Sequence, residues 1–188
     1  MGGRVSRYTL KMRGLILVCL VALSAPLSAI TIKPLSFIEL VDGSAAVVHG
    51  RVSAVHGQWT ADRHGIDSLV SLDVIDYLKG GLGERVTVRV PGGQVGGMIN
   101  IIPGAPKFAE GDRVVLFLKV DGPSIPIVTG TTQGVFRVTT DPRSGGLVVV
   151  PPLMDEPGAK HIVRGDPSRR PLAMDVFSAA VKSAQVAR

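Results

Sequence analysis

Cysteine and aromatic residues are scarce in this 188-residue chain. It holds one cysteine, Cys19, and aromatic residues make up 4% of the sequence. Cys19 lies inside an apolar run near the N-terminus, so a chain that loses this run has no thiol. Without thiols a chain can form neither a disulfide nor a cysteine-ligated metal centre, and it has no thiol nucleophile. We therefore expect packing alone to hold the fold.

Common catalytic and phosphate-binding motifs are also missing. The sequence contains no G-x-S-x-G nucleophile elbow, no G-x-x-x-x-G-K phosphate loop and no H-E-x-x-H zinc motif. The glycine-rich segment 92–97 follows a predicted strand, but it lacks the dinucleotide-binding spacing and no helical pattern comes after it. We interpret it as a flexible loop, and we predict no catalytic residue and no cofactor.

Histidines and aspartates are too dispersed to predict a metal or acid–base site. His49 and His56 are seven residues apart, so on an unbroken strand they face opposite sides, and His64 lies in a predicted loop. We interpret all three as solvated surface residues and expect no bound metal. Asp73 and Asp76 also fall on opposite faces of a strand, with Asp73 outward and Asp76 inward near the strand end.

The first 29 residues predict the compartment. Basic residues precede a short apolar run at 14–23, and small residues follow it up to Ala29, which is the layout of a secretory signal peptide. The run is shorter than the ~20 apolar residues of a membrane span. We expect cleavage after Ala29 and a periplasmic or secreted protein. An uncleaved leader would instead anchor the chain at its N-terminus.

Net charge gives no indication of nucleic-acid binding. The chain carries +6, and loss of the four basic leader residues reduces this to +2. Beyond the leader, Arg169 and Arg170 form the only adjacent basic pair. Because nucleic-acid binding requires many phosphate contacts from one face, we expect no nucleic-acid partner.

Residues 30–150 carry the pattern of a small β domain. Ser36 and Glu39 form a capping-box pattern that predicts a short helix at 36–43, with Gly43 as a left-handed stop. Alternating or apolar segments then predict about seven strands, and Gly50 is expected at a bend or bulge. These strands are 46–56, 68–78, 84–90, 114–120, 125–128, 134–139 and 147–150.

The remaining segments are predicted loops, a linker and one helix. Loops are expected at 56–67 and 91–111, the latter lying against the barrel with a short strand near 98–102. Residues 151–171 are rich in proline and charge and predict coil, whereas 172–188 repeat apolar residues every four positions and predict an amphipathic helix. The fold class is therefore all-β with small α content: a small antiparallel, OB-like barrel with a short N-terminal helix and a C-terminal helix.

Several of these segments resemble a family of uncharacterised bacterial exported proteins. The matching stretches between residues 35 and 138 include AAVVHGRV at 45–52, LKG at 78–80, VTVRVPGG at 86–93 and TQGVFR at 132–137. The first strand and the LKG corner are also similar to the netrin-like domain of tissue inhibitors of metalloproteinases, an OB-like barrel. That resemblance implies the fold alone, because those inhibitors chelate zinc through an N-terminal cysteine that this chain lacks beyond Ala29.

Three predicted loops, 57–67, 91–111 and 129–134, supply the candidate interaction residues. We expect a non-catalytic binding module of the cell envelope whose partner is an envelope protein or ligand, with no membrane span in the mature chain. A protease inhibitor or protease partner acting through a loop, and a hydrolase with an unrecognised site, are the alternatives. The candidate residues are Trp59, His64, Gln94, Met98, Thr131 and Gln133.

Overall fold

The computed structural model describes residues 34–152 and 170–186. The predicted signal peptide at 1–29 lies outside these residues, as does the predicted coil at 151–171 apart from its two ends. Two α-helices and ten strands form in the described ranges. The helices are α1 (Phe37–Asp42) and α2 (Met174–Val186); the strands are β1 (Ala46–Trp59), β2 (Ile66–Lys79), β3 (Arg85–Pro91), β4 (Gly93–Val95), β5 (Met98–Asn100), β6 (Arg113–Lys119), β7 (Ile127–Val128), β8 (Val135–Thr140), β9 (Leu147–Val150) and β10 (Leu172–Ala173).

Five strands close into a ring in the order β1-β2-β3-β7-β6, because β1 pairs with both β2 and β6. The contact between β3 and β7 is parallel, and the other pairings in the ring are antiparallel. Strands β8, β9 and β10 continue the sheet outward from β6. The predicted class, all-β with small α content, is confirmed. The predicted number of strands was too low because β4, β5 and β10 are too short to show alternation.

Strands β1 and β2 form one long hairpin. Each has 14 residues, and the connection between them is 60–65 rather than the predicted 56–67. His56, Gly57 and Gln58 pair with residues 67–69 of β2. The sequence prediction was wrong here because backbone pairing does not require alternating apolar side chains at the exposed end of a hairpin.

Register shifts in this hairpin decide which side chains face inward. Gly50 lies at one shift, as expected, and a Cβ there would be 2.9 Å from the Asp73 carbonyl oxygen. Gly50 is opposite Val74, whereas the preceding residue, His49, is opposite Asp76. The extra β2 residue turns Asp76 outward, where it is exposed. The prediction that Asp76 faces inward was therefore wrong.

The apolar side chains form two cores on opposite faces of β1 and β6. One core fills the barrel, and Val52, Leu72, Val88 and Leu116 are among its buried members. The other, which we call the outer core, lies between the outside of the barrel and the two helices. It contains Leu40, Val47, Leu78, Val115, Phe117, Phe136, Val138, Val149, Phe177, Val181 and Ala184.

Helix α1 begins at its predicted capping box, and one boundary of each helix corrects the prediction. In α1 the Ser36 hydroxyl accepts the Glu39 amide and the Glu39 carboxylate accepts the Ser36 amide, which confirms the capping box. Gly43 ends α1 in right-handed geometry, with φ −72°, so the left-handed stop was wrong. Helix α2 begins at Met174 rather than residue 172, because Leu172 and Ala173 pair with β9.

Candidate functional site

The β4–β5 hairpin packs directly on the end of β1. A Cβ at Gly57 would lie 1.9 Å from the Gln94 carbonyl oxygen, so only glycine allows this approach of two backbones. The hairpin belongs to the predicted loop 91–111 and includes the short strand expected near 98–102. Its position beside the β1–β2 hairpin brings two of the three predicted loops together.

Large apolar side chains are exposed on and next to this hairpin. Exposed large apolar side chains that are grouped in one region, rather than scattered singly, are typical of interaction sites. We call this set the hairpin surface: Trp59 (40% exposed), Met98 (60%), Ile99 (65%), Ile101 (75%) and Ile102 (41%). Trp59 and Met98 were predicted interaction residues. The segment 91–111 was predicted to lie against the barrel; β4 does so at Gly57, whereas the three isoleucines that follow are exposed.

The other predicted loop residues at the surface are held by local hydrogen bonds. Asp62 accepts the backbone amide of His64 at 3.2 Å, and the His64 side chain is 87% exposed. The Gln94 side-chain amide donates to the Gly96 carbonyl, and Thr131 is exposed with φ 57°. Gln94 lies in β4 of the hairpin, His64 in the adjoining β1–β2 connection, and Thr131 in the separate turn 129–134.

The third loop joins the second through one side-chain contact. The Thr132 hydroxyl donates to the carbonyl of Gly104, which links 129–134 to the segment 91–111. Gln133 in this turn is 2% exposed, and its Oε1 accepts the Leu35 amide at 2.7 Å. Gln133 therefore fixes the chain that enters α1 and is not presented at the surface, unlike the other predicted residues.

His49 does not lie in solvent, contrary to the prediction. It is 5% exposed because β1 is paired on both sides and its outer face is covered. Its Nε2 has no hydrogen-bond partner among the described residues. Burial lowers the pKa of His49, the Arg113 guanidinium lowers it further, and the Asp76 carboxylate acts in the opposite direction.

Next to His49 is a cleft between β1, β2 and the start of α2. Its volume is about 520 Å³. Sequence reasoning missed it, because Asp175 and Ser178 reach β2 only when α2 docks on the sheet. Their three-residue spacing, which places them on one helix face, was the only signal. The lining residues are His49, Asp76, Leu78, Gly146, Leu147, Ala173, Met174, Asp175 and Ser178.

The burial of His49 predicts acid sensitivity of the fold. Its folded-state pKa lies below 6.5, so between these values the unfolded chain binds more protons. The free energy of unfolding should therefore fall as the pH drops through 6.5, and level off below the folded-state pKa. Urea denaturation from pH 8 to 4.5 measures this. Asp76, Arg113 and Asp175 are the charged groups placed around His49 on neighbouring elements.

Two substitutions distinguish the contribution of His49 from the stability that the fold loses in acid through other groups. His49→Gln should flatten the decline between pH 7 and 5, whereas His64→Gln, at a side chain that is 87% exposed, should leave it unchanged. An unaltered pH profile in His49→Gln would contradict the assignment.

Comparisons with known proteins identify no relative: no protein-family model, curated protein or solved structure matches this chain. Across 34–152 and 170–186, no group of three or more His, Cys, Asp or Glu residues could hold a metal ion. Neither α-helix in this part of the chain has the length and apolar character needed to cross a bilayer.

Proposed function

We propose that this chain is an exported, non-catalytic binding module of the bacterial cell envelope that contacts a partner protein through the hairpin surface. The observation that carries the proposal is the exposure of Met98, Ile99 and Ile101, each 60% or more, at the end of one hairpin and directly after it. Export is proposed from the basic and apolar leader at 1–29.

The fold supports this proposal by keeping the hairpin surface in place. A glycine contact, Gly57 against Gln94, seats the hairpin on β1, and β1 belongs to the closed ring. A surface mounted on a rigid scaffold loses little conformational entropy on binding, which favours affinity. Trp59 adds an indole, the side chain most enriched among residues that dominate binding energy.

Charge at the hairpin surface favours a protein partner over nucleic acid. The adjoining loop presents Asp62, Arg63 and His64, so charges of both signs lie beside the apolar side chains. A mixed polar rim around an apolar centre is the usual anatomy of a protein–protein interface. Phosphate-backbone binding would require a concentration of positive charge.

The test is partner capture by the tagged full chain after crosslinking in intact bacterial cells. We expect an envelope protein to be captured from the periplasmic or secreted fraction. The double variant Ile99→Asp/Ile101→Asp should reduce its recovery at least about tenfold, because two contact residues become charged.

The matched control is Ile38→Asp, which places the same charge at a side chain that is 54% exposed on α1, away from the hairpin. Its capture should equal that of the unmodified chain. Equal recovery by the double variant, or equal losses in both variants, would overturn the hairpin surface as the contact. Recovery only from the cytoplasmic fraction would overturn export.

A further inference from the structure

A row of charged residues crosses four neighbouring strands on the outside of the barrel. Arg113 of β6 is directly opposite Arg51 of β1 in the strand register. Arg51 is also opposite Asp73 of β2, and Asp73 is opposite Arg85 of β3. Each of these residues faces outward because side chains alternate along a strand and a sequence neighbour of each lies in the barrel core. Those neighbours are Val114, Val52, Leu72 and Val86.

Two carboxylates in and beside this row are already held by arginines. Asp73 accepts a hydrogen bond from Arg85 Nε at 2.9 Å. Asp112, which precedes β6, accepts one from the Arg137 guanidinium and another from the Ala109 amide. Both carboxylates therefore have a cation of their own, and neither neutralises a further one fully.

Three cations nearby have no ionic partner. Arg51 and Arg113 are opposite each other, and Lys107 lines a surface cleft of about 470 Å³ together with Arg113. In the part of the chain that the structure describes, no ion pair includes any of the three. Asp76, in the next row opposite His49, supplies one further carboxylate, so positive charge stays in excess. We call Arg51, Lys107 and Arg113 the basic surface.

The register makes this arrangement unfavourable without an anion. Like charges directly opposite each other in a sheet destabilise the pairing of their strands. Arg113 is also half-buried, so water solvates its charge less well than it solvates that of the exposed Arg51. An anion that binds both guanidinium groups would remove the repulsion between them.

The number and type of these cations favour protein carboxylates over other anions. A planar guanidinium can bind a carboxylate through two parallel hydrogen bonds. Nucleic-acid binding requires many phosphate contacts from one face, and recognition of anionic membranes uses clusters of roughly four to eight basic residues. Phe108 and Val138 add apolar lining to the cleft, against which the methylene groups of an acidic side chain can pack.

We propose that the basic surface binds an acidic peptide segment of a partner protein. One Asp or Glu carboxylate of the segment bridges Arg51 and Arg113, and a second binds Lys107 at the cleft. Arg51 and Trp59 lie in different halves of β1, so this contact is separate from the hairpin surface. It goes beyond the proposed function and does not depend on it.

The test is a two-dimensional amide NMR titration of the full chain at pH 7 with N-acetyl-tetraglutamyl amide. We expect saturable shifts in 51–53 and 107–113 with a roughly millimolar dissociation constant at low salt. The tetraglutaminyl peptide has the same shape without charge and should bind at least about fivefold more weakly. Raising sodium chloride from about 20 mM to about 300 mM should weaken the glutamate peptide at least about threefold, because salt screens exposed charges.

Matched variants identify the cations that bind the peptide. Arg51→Gln and Lys107→Gln should each weaken binding about threefold, as the loss of one exposed ion pair does. Lys119→Gln is the control: it removes the same charge from an exposed residue at the opposite end of β6 from Arg113, and binding should be unchanged. The amide spectrum of each variant reports its folding in the same measurement.

Three results would overturn the proposal. These are shifts that do not saturate, equal binding of the glutamine peptide, and a loss in Lys119→Gln equal to that in Arg51→Gln. Tighter binding of a short oligothymidylate or of phosphatidylglycerol vesicles, lost in the Arg51 and Lys107 variants, would overturn the acidic peptide as the ligand and assign the surface to nucleic acid or membrane. None of these readouts involves the hairpin surface, so failure here is distinguishable from failure of partner capture.

Discussion

Replacing Phe117 with alanine is expected to lower the free energy of unfolding by about 4 kcal/mol, within the range for buried Phe-to-Ala substitutions. Phe117 is 0% exposed. Its ring centroid lies 6.0 Å from that of Phe37, 5.3 Å from that of Phe136 and 6.4 Å from that of Phe177. It therefore connects β6 to α1, β8 and α2, and the cavity left by alanine opens at the centre of the outer core.

Urea denaturation followed by circular dichroism measures this loss. The control is Ile75→Ala on β2, where the side chain is 51% exposed and the change should stay below about 1 kcal/mol. Aromatic residues are 4% of the chain, yet three other phenylalanine rings contact or neighbour Phe117. If Phe117→Ala cost no more than the control, these rings would not be the centre of the outer core.

Replacing Gly57 with valine is expected to displace the β4–β5 hairpin from β1 and to cost about 2–3 kcal/mol, as overpacking a close contact does. The new Cβ would lie 1.9 Å from the Gln94 carbonyl oxygen and 2.7 Å from its carbon, so backbone must move. Amide NMR shifts should concentrate in 93–100. If the proposed function is correct, partner capture should also fall although no exposed apolar residue has changed.

Gly97→Ala is the matched control because it lies in the same hairpin, has ordinary φ and meets no atom within 4 Å of the added Cβ. It should leave stability within about 0.5 kcal/mol of the unmodified chain, as surface substitutions do. Partner capture should also be unchanged. A Gly57→Val variant with unshifted hairpin amides would show that the contact with Gln94 does not seat the hairpin.

Local patterns predicted the strands well where one face is buried. Val86, Val88 and Val90 are buried and Arg85 and Arg89 are exposed, as alternation in β3 predicts. The same reasoning failed for His49 and Asp76. An extra residue in β2 changes the face on which Asp76 lies. The outer core covers a face of β1 that would be in solvent if the sheet were buried on one side only.

Predictions for the candidate site residues also succeeded where local sequence decides exposure and failed where a distant contact decides it. Trp59, His64 and Met98 are exposed, so their side chains are available to a partner. Gln133 is buried because its amide oxygen is required by Leu35, a residue 98 positions away. A contact over such a sequence distance leaves no periodic pattern in the chain, so composition and spacing could not predict it.

By itself, the sequence determined the β class, the capped α1 helix and most strand positions, because alternation and capping depend on residues a few positions apart. Tertiary structure alone decided the closure of the ring, the burial of His49, the exposure of the hairpin surface and the cleft at α2. Each of these depends on which face of a strand another element covers, and that choice rests on contacts between residues far apart in the chain.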